Sequence, residues 1–116
     1  MSEIASVMFP FNDAEILELT AGDTAQNLTI KSHGTIIDGV TNEATVNRTL
    51  NLTPGEGLRT GAIVFVRTQT NGVENTIFGT GVTGVTYAGV AGTIFTTMLV
   101  FNGTAFEQFG AALNIN

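Results

Sequence analysis

The sequence predicts an all-β fold, a small antiparallel sandwich, jelly roll or barrel of about eight strands with Asn-Gly hairpins. Three observations carry this. Polar and apolar residues trade places one by one in stretches such as Thr45-Val46-Asn47-Arg48-Thr49-Leu50-Asn51-Leu52, the period of a half-buried strand. Clusters of Gly, Asn, Asp and Pro interrupt these stretches at roughly ten-residue spacing, and they are turn chemistry. Helical periodicity is missing throughout, and residues 12–19 supply one turn at most.

From the N-terminus, strands are expected at 15–19, 27–31, 35–38 and 45–52. Ala21-Gly22-Asp23-Thr24, Ser32-His33-Gly34 and Asp38-Gly39-Val40-Thr41-Asn42 divide them, and Pro54-Gly55-Glu56-Gly57 closes the last. Two hairpins follow, 64–70 with 73–78 around Asn71-Gly72, and 96–101 with 104–109 around Asn102-Gly103. Asn-Gly between alternating runs calls for a two-residue type I′ turn, because both central residues need positive φ. Both pairs are therefore expected to be antiparallel.

Between the hairpins lies Gly-Thr-Gly-Val-Thr-Gly-Val-Thr-Tyr-Ala-Gly-Val-Ala-Gly, residues 79–92. One reading is a flexible loop, since long connections are usually functional or mobile. The other is close packing, because missing side chains let backbones approach where subunits meet. On that reading Gly81, Val82, Gly84, Val85, Tyr87, Gly89 and Val90 form an oligomer interface.

Composition narrows the function classes. Charged residues make up 12% of the 116-residue chain, and its net charge is −6. Neutral Thr and Asn surface suits a subunit of a larger assembly better than a free monomer. Lys31, Arg48, Arg59 and Arg67 are the strong cations and are scattered, which argues against nucleic acid, whose phosphates need clustered Lys and Arg. No apolar run is long enough to cross a membrane. Cysteine is absent, so no disulfide or thiolate framework is expected. The start, Met1-Ser2-Glu3-Ile4-Ala5-Ser6-Val7, does not read as a secretory signal, and assembly in the cytosol is the expectation. Asn27, Asn47, Asn51 and Asn102 each open an Asn-x-Thr triplet, which without a secretory route is a by-product of composition.

Catalytic chemistry finds no footing. His33 is the single histidine and reads as a turn residue; a triad or zinc site needs partners it lacks. Asp13, Glu15 and Glu18, then Asp38 and Glu43, are the densest carboxylates, but a chain this short has little room for a saccharide cleft beside a core. Asp23, Asp38, Asn42 and Glu43 offer calcium-type oxygens without the spacing of an acidic loop. The Gly-rich stretches lack the lysine of a phosphate-binding loop. The expectation is no enzyme, no cofactor and no metal.

Met8-Phe9-Pro10-Phe11 places two aromatics on a segment that proline keeps extended. They either fold onto this domain's sheet or insert into a partner. The expected organisation is an attachment segment, 1–12, followed by one β domain, 13–116. Phe65, Phe78, Phe95, Phe101, Phe106 and Phe109 fall in strands and read as core.

The succession Leu19-Thr20-Ala21-Gly22-Asp23-Thr24, Leu28-Thr29-Ile30-Lys31, Gly34-Thr35-Ile36-Ile37 and Met98-Leu99-Val100-Phe101-Asn102-Gly103-Thr104-Ala105-Phe106 resembles short virion structural proteins of tailed bacteriophages, of the capsid-decoration, head-fibre and tail-fibre kinds. The resemblance is one of style and spans most of the chain. It implies a homotrimer located in the virion, assembled in the host cytoplasm and attached through its N-terminal segment to capsid or tail components. The alternative is a carbohydrate- or receptor-binding module that takes a host-surface glycan. A small lectin-like or lyase-like enzyme is third; a water-accessible carboxylate pair would be its sign.

Overall fold

The structure is a computed structural model and describes residues 15–115, with side chains as far as Phe109. It is all-β, with no helix among the described residues. The strands are β1 (Glu15–Glu18), β2 (Ala25–Ile30), β3 (Gly34–Ala44), β4 (Arg48–Pro54), β5 (Ile63–Thr70), β6 (Thr76–Phe78), β7 (Val82–Thr83), β8 (Ile94–Phe101) and β9 (Phe106–Ile115). A six-stranded sheet has the order β1-β3-β5-β8-β9-β7, and a three-stranded sheet the order β2-β4-β6.

Pairing among the first six strands is parallel, whereas β5 with β8 and β8 with β9 are antiparallel. β1, β3 and β5 stack parallel in the first sheet, and β2, β4 and β6 stack parallel in the second. β1 with β2, β3 with β4, and β5 with β6, each pair with its corner, thus make three coils of a β-solenoid. The antiparallel sandwich, jelly roll or barrel is corrected accordingly. The reason is that period-2 alternation marks a strand with one buried face whichever way its neighbour runs.

Stacked coils place like on like. Asn27, Leu28 and Thr29 sit beside Asn51, Leu52 and Thr53, and Ile16 beside Ile36. Asn51 Nδ2 donates to Asn27 Oδ1 at 2.9 Å, and Asn51 Oδ1 accepts from the Thr80 N–H at 2.9 Å. Such side-chain ladders hold parallel strands in register.

The two Asn-Gly sites part company. β5 pairs with β3 and β8, whereas β6 pairs with β4, so Asn71-Gly72 is a corner between sheets and not a hairpin. Gly72 lacks a positive φ, and its N–H donates to Thr70 Oγ1 at 3.1 Å. The Thr70 hydroxyl in turn donates to the Glu74 carboxylate. At the second site β8 and β9 are an antiparallel pair, as expected, but the turn is longer than two residues. The Asn102 N–H donates to the Ala105 carbonyl at 2.9 Å. Asn102 Oδ1 accepts from the Thr104 and Ala105 N–H groups at 2.8 Å each. Only Gly103 takes a positive φ there, 99°. Gly103→Val is therefore expected to cost well over 1 kcal/mol, while Gly72→Val loses that strain argument and should cost far less; urea denaturation of the two variants checks both.

The core lies between the sheets and contains Leu19, Ile30, Ile37, Leu50, Leu52, Val64, Val66, Leu99, Phe101 and Phe106. Phe95 is buried as well. Phe65 and Phe109 are not core residues, which corrects the reading above: their places in β5 and β9 fall on the phase that points away from the second sheet.

Arg48 is completely buried. Its Nη1 donates to the Asn42 carbonyl at 2.7 Å, and its Nη2 donates to the Gly39 carbonyl at 2.9 Å and to Thr68 Oγ1 at 2.6 Å. These acceptors exist because β3 bulges between Gly39 and Ala44 and turns carbonyls inward. Gly39 makes the room, since a Cβ there would lie 2.7 Å from Arg48 Nη2. Burial lowers the Arg48 pKa from its ordinary value, and the Asp38 charge partly opposes that.

Candidate assembly surface

The first sheet has an inner face on the core and an outer face. On the outer face the register lines up Ile16, Ile36, Phe65, Met98 and Phe109 in one row across β1, β3, β5, β8 and β9. Ile63 and Val100, also register partners, form a shorter row beside it. Ile36, Phe65 and Met98 are half-buried, while the two ends of the row, Ile16 and Phe109, are 64% and 65% exposed. Contiguous apolar surface makes this face a candidate interaction site, since burying one large side chain is worth about 1.5–3 kcal/mol.

Charge borders the row. Asp38 and Arg67 are register partners on the same outer face, and Glu18 and Glu107 lie exposed on β1 and β9. Asp38 Oδ1 accepts from the Val40 N–H at 2.9 Å, and Oδ2 from the Thr41 hydroxyl at 2.8 Å. The Val40 bond foremost, then Thr41 and the Arg67 charge, hold the Asp38 carboxyl below its ordinary value against its partial burial. A depressed folded value means that the ionised carboxylate contributes stability above the unfolded value of about 3.9, and that the contribution is lost as pH falls through the folded value. The difference in urea midpoint between the native chain and Asp38→Asn is accordingly expected to shrink as pH drops below about 3.9.

The residues of 79–92 expected at an oligomer interface lie outside this row, and several of them pack within the chain. Gly81 abuts the Leu52 carbonyl, Gly84 lies against Phe78 and Gln108, and Gly89 against Glu74 and Thr70. Tyr87 stacks on Phe95 with centroids 4.1 Å apart, and it exchanges backbone hydrogen bonds with Thr76. Val82 belongs to β7 and packs on the core. Gly81 and Gly84 thus make close approaches within the chain where β7, at the edge of the first sheet, meets β4 and β6 of the second. Val85 and Val90 point to solvent, 75% and 57% exposed. Met8, Phe9, Pro10 and Phe11 lie outside the described residues.

Sequence reasoning missed the outer row. Its signal was present in the phase of each strand, but only the register shows that five such positions coincide.

Other sites are small. A crevice with room for about one water molecule is lined by Ala44, Thr68, Thr70, Glu74, Thr76 and Tyr87 among others. Glu74 is its one carboxylate, held below the ordinary range chiefly by the Thr70 hydroxyl. His33 Nε2 accepts from the Arg59 N–H at 2.9 Å. No group of three or more His, Cys, Asp or Glu side chains placed to hold a metal occurs among the described residues. The chain matches no protein-family model, no curated protein and no solved structure.

Proposed function

We propose that this chain is a non-enzymatic structural component of a larger particle, a homo-oligomeric virion module of the decoration or fibre type, and that it assembles through the outer face of its first sheet. The observation that carries the reading is the five-strand row from Ile16 to Phe109. Its rings stand among aliphatic neighbours, which supports protein packing over a glycan platform, where exposed aromatics work beside Asn and Asp. The scarcity of charge and the likeness to phage virion proteins support the same reading. Attachment to capsid or tail components is assigned to Met8-Phe9-Pro10-Phe11, apolar anchors of the kind that dominate interfaces.

The test is incorporation. Deleting residues 1–11 is expected to leave a folded, oligomeric β domain that no longer appears in purified particles by mass spectrometry. Normal incorporation of the truncated chain refutes attachment through this segment, and absence of the full chain from particles refutes the virion reading.

A further inference from the structure

We propose that Asn71-Gly72 is a self-modification site, at which the chain converts its own asparagine to aspartate and isoaspartate without an enzyme. The chemistry is a ring closure followed by hydrolysis. The Gly72 nitrogen attacks Asn71 Cγ, a C–N bond forms, the bond from Cγ to the side-chain nitrogen breaks, and that nitrogen leaves as ammonia with the proton given up by Gly72. Water then opens the succinimide ring at one carbonyl to give aspartate, or at the other to give isoaspartate. A glycine after the asparagine leaves the attacking nitrogen unhindered.

The local geometry is arranged around the proton that must leave. Gly72 has no positive φ, so its glycine does not serve a turn conformation. A Cβ there would instead lie 2.9 Å from Glu74 Oε1, and its absence lets the carboxylate sit against this peptide. The Gly72 N–H donates to Thr70 Oγ1 at 3.1 Å, and the Thr70 hydroxyl donates to the Glu74 carboxylate. The proton thus has a path from nitrogen through a hydroxyl to a carboxylate, each step within the reach that general-base catalysis requires. The Thr70 hydroxyl foremost, with the Gly72 N–H among the lesser causes, holds the Glu74 carboxyl below its ordinary value, so it is ionised at neutral pH. Asn71 is exposed and its carboxamide makes no hydrogen bond among the described residues, which leaves it able to turn onto the nitrogen and open to water.

Asn102-Gly103 is the same dipeptide in a locked state. Asn102 Oδ1 accepts from the Thr104 and Ala105 N–H groups at 2.8 Å each, and its Nδ2 donates to Glu107 Oε1 at 2.8 Å. These bonds must break before Cγ can swing onto the Gly103 nitrogen, so the fold protects one pair and exposes the other. The reaction at Asn71 places a second carboxylate near Glu74, and isoaspartate lengthens the main chain at the corner that carries β5 into β6.

The test is to incubate the folded full chain at neutral pH and follow both asparagines by peptide mapping with mass spectrometry. Asn71 is expected to convert at least about tenfold faster than Asn102, the ratio that the lost hydrogen bonds imply, and in urea, where neither pair is held, the two rates should agree. Equal rates in the folded chain, or a faster Asn102, overturn the inference. Glu74→Gln is expected to slow Asn71 about tenfold or more without changing Asn102, and to make the Asn71 rate climb in step with hydroxide from about pH 6 to 8, where the native rate climbs less steeply. Thr70→Val should slow Asn71 in the same way and Thr70→Ser should restore it, which keeps the test open if Glu74→Gln does not fold. An Asn71 rate that none of these variants changes overturns the proton path.

Discussion

Replacing Arg48 with alanine is expected to lower the unfolding free energy by about 3–5 kcal/mol, because buried acceptors left unpaired cost about 1–3 kcal/mol each and a cavity opens beside them. The guanidinium gathers the carbonyls of Asn42 and Gly39 and the hydroxyl of Thr68 inside the protein. Truncation leaves those acceptors buried without donors and opens a cavity beside Gly39 and Thr68. Arg48→Lys keeps the charge but loses the planar fork, so it should fall between alanine and the native residue. Urea midpoints for the three proteins check the order; an alanine variant within 1 kcal/mol of native refutes the role given to the cradle.

Gly81→Val is expected to cost about 3 kcal/mol or more, for two separable reasons. Gly81 has φ of 79°, strained for any β-branched residue, and a Cβ there would collide with the Leu52 carbonyl oxygen. The approach cannot relax cheaply. The Gly81 carbonyl accepts from the Phe106 N–H at 2.9 Å, and the adjoining Thr80 carbonyl accepts from the Leu52 N–H at 2.9 Å, so this point ties β4 to β9 and one sheet to the other. Gly57 gives the control, since its φ of 84° comes with nothing within 4 Å of an added Cβ. Gly57→Val should show the conformational strain alone, about 1–2 kcal/mol, and equal losses at the two positions would refute the clash.

Much of the strand content was legible because alternation in 45–52 and 64–70 reports one buried face, whatever the partner. Topology was not. An Asn-Gly pair says that the chain turns, and Asn102-Gly103 does return β9 onto β8. Asn71-Gly72 turns just as well, but β5 was already flanked by β3 and β8, which left β6 to the second sheet. A fixed repeat would have disclosed the coils, yet Glu15 pairs with Thr35, Ala25 with Thr49 and Gly34 with Ile63, so coil lengths differ and no fixed period survives. Arg48 shares the inward phase of Leu50 and Leu52, a signal that composition alone treats as one more scattered cation. The outer face shows the same limit: Ile16, Phe65 and Phe109 each look ordinary in their strands, and only the register of two parallel and two antiparallel pairings joins them into one row.

The Ile16–Ile36–Phe65 part of that row depends on coils stacking in parallel. Nuclear Overhauser contacts between backbone protons are the most direct test. Contacts from β2 to β4 around Asn27 and Asn51 and around Leu28 and Leu52 are expected, together with contacts from β3 to β5 around Ile36 and Phe65. Cross-strand contacts between residues 67–70 and 73–76, the pattern of a hairpin closed by Asn71-Gly72, would contradict the solenoid and with it the outer face.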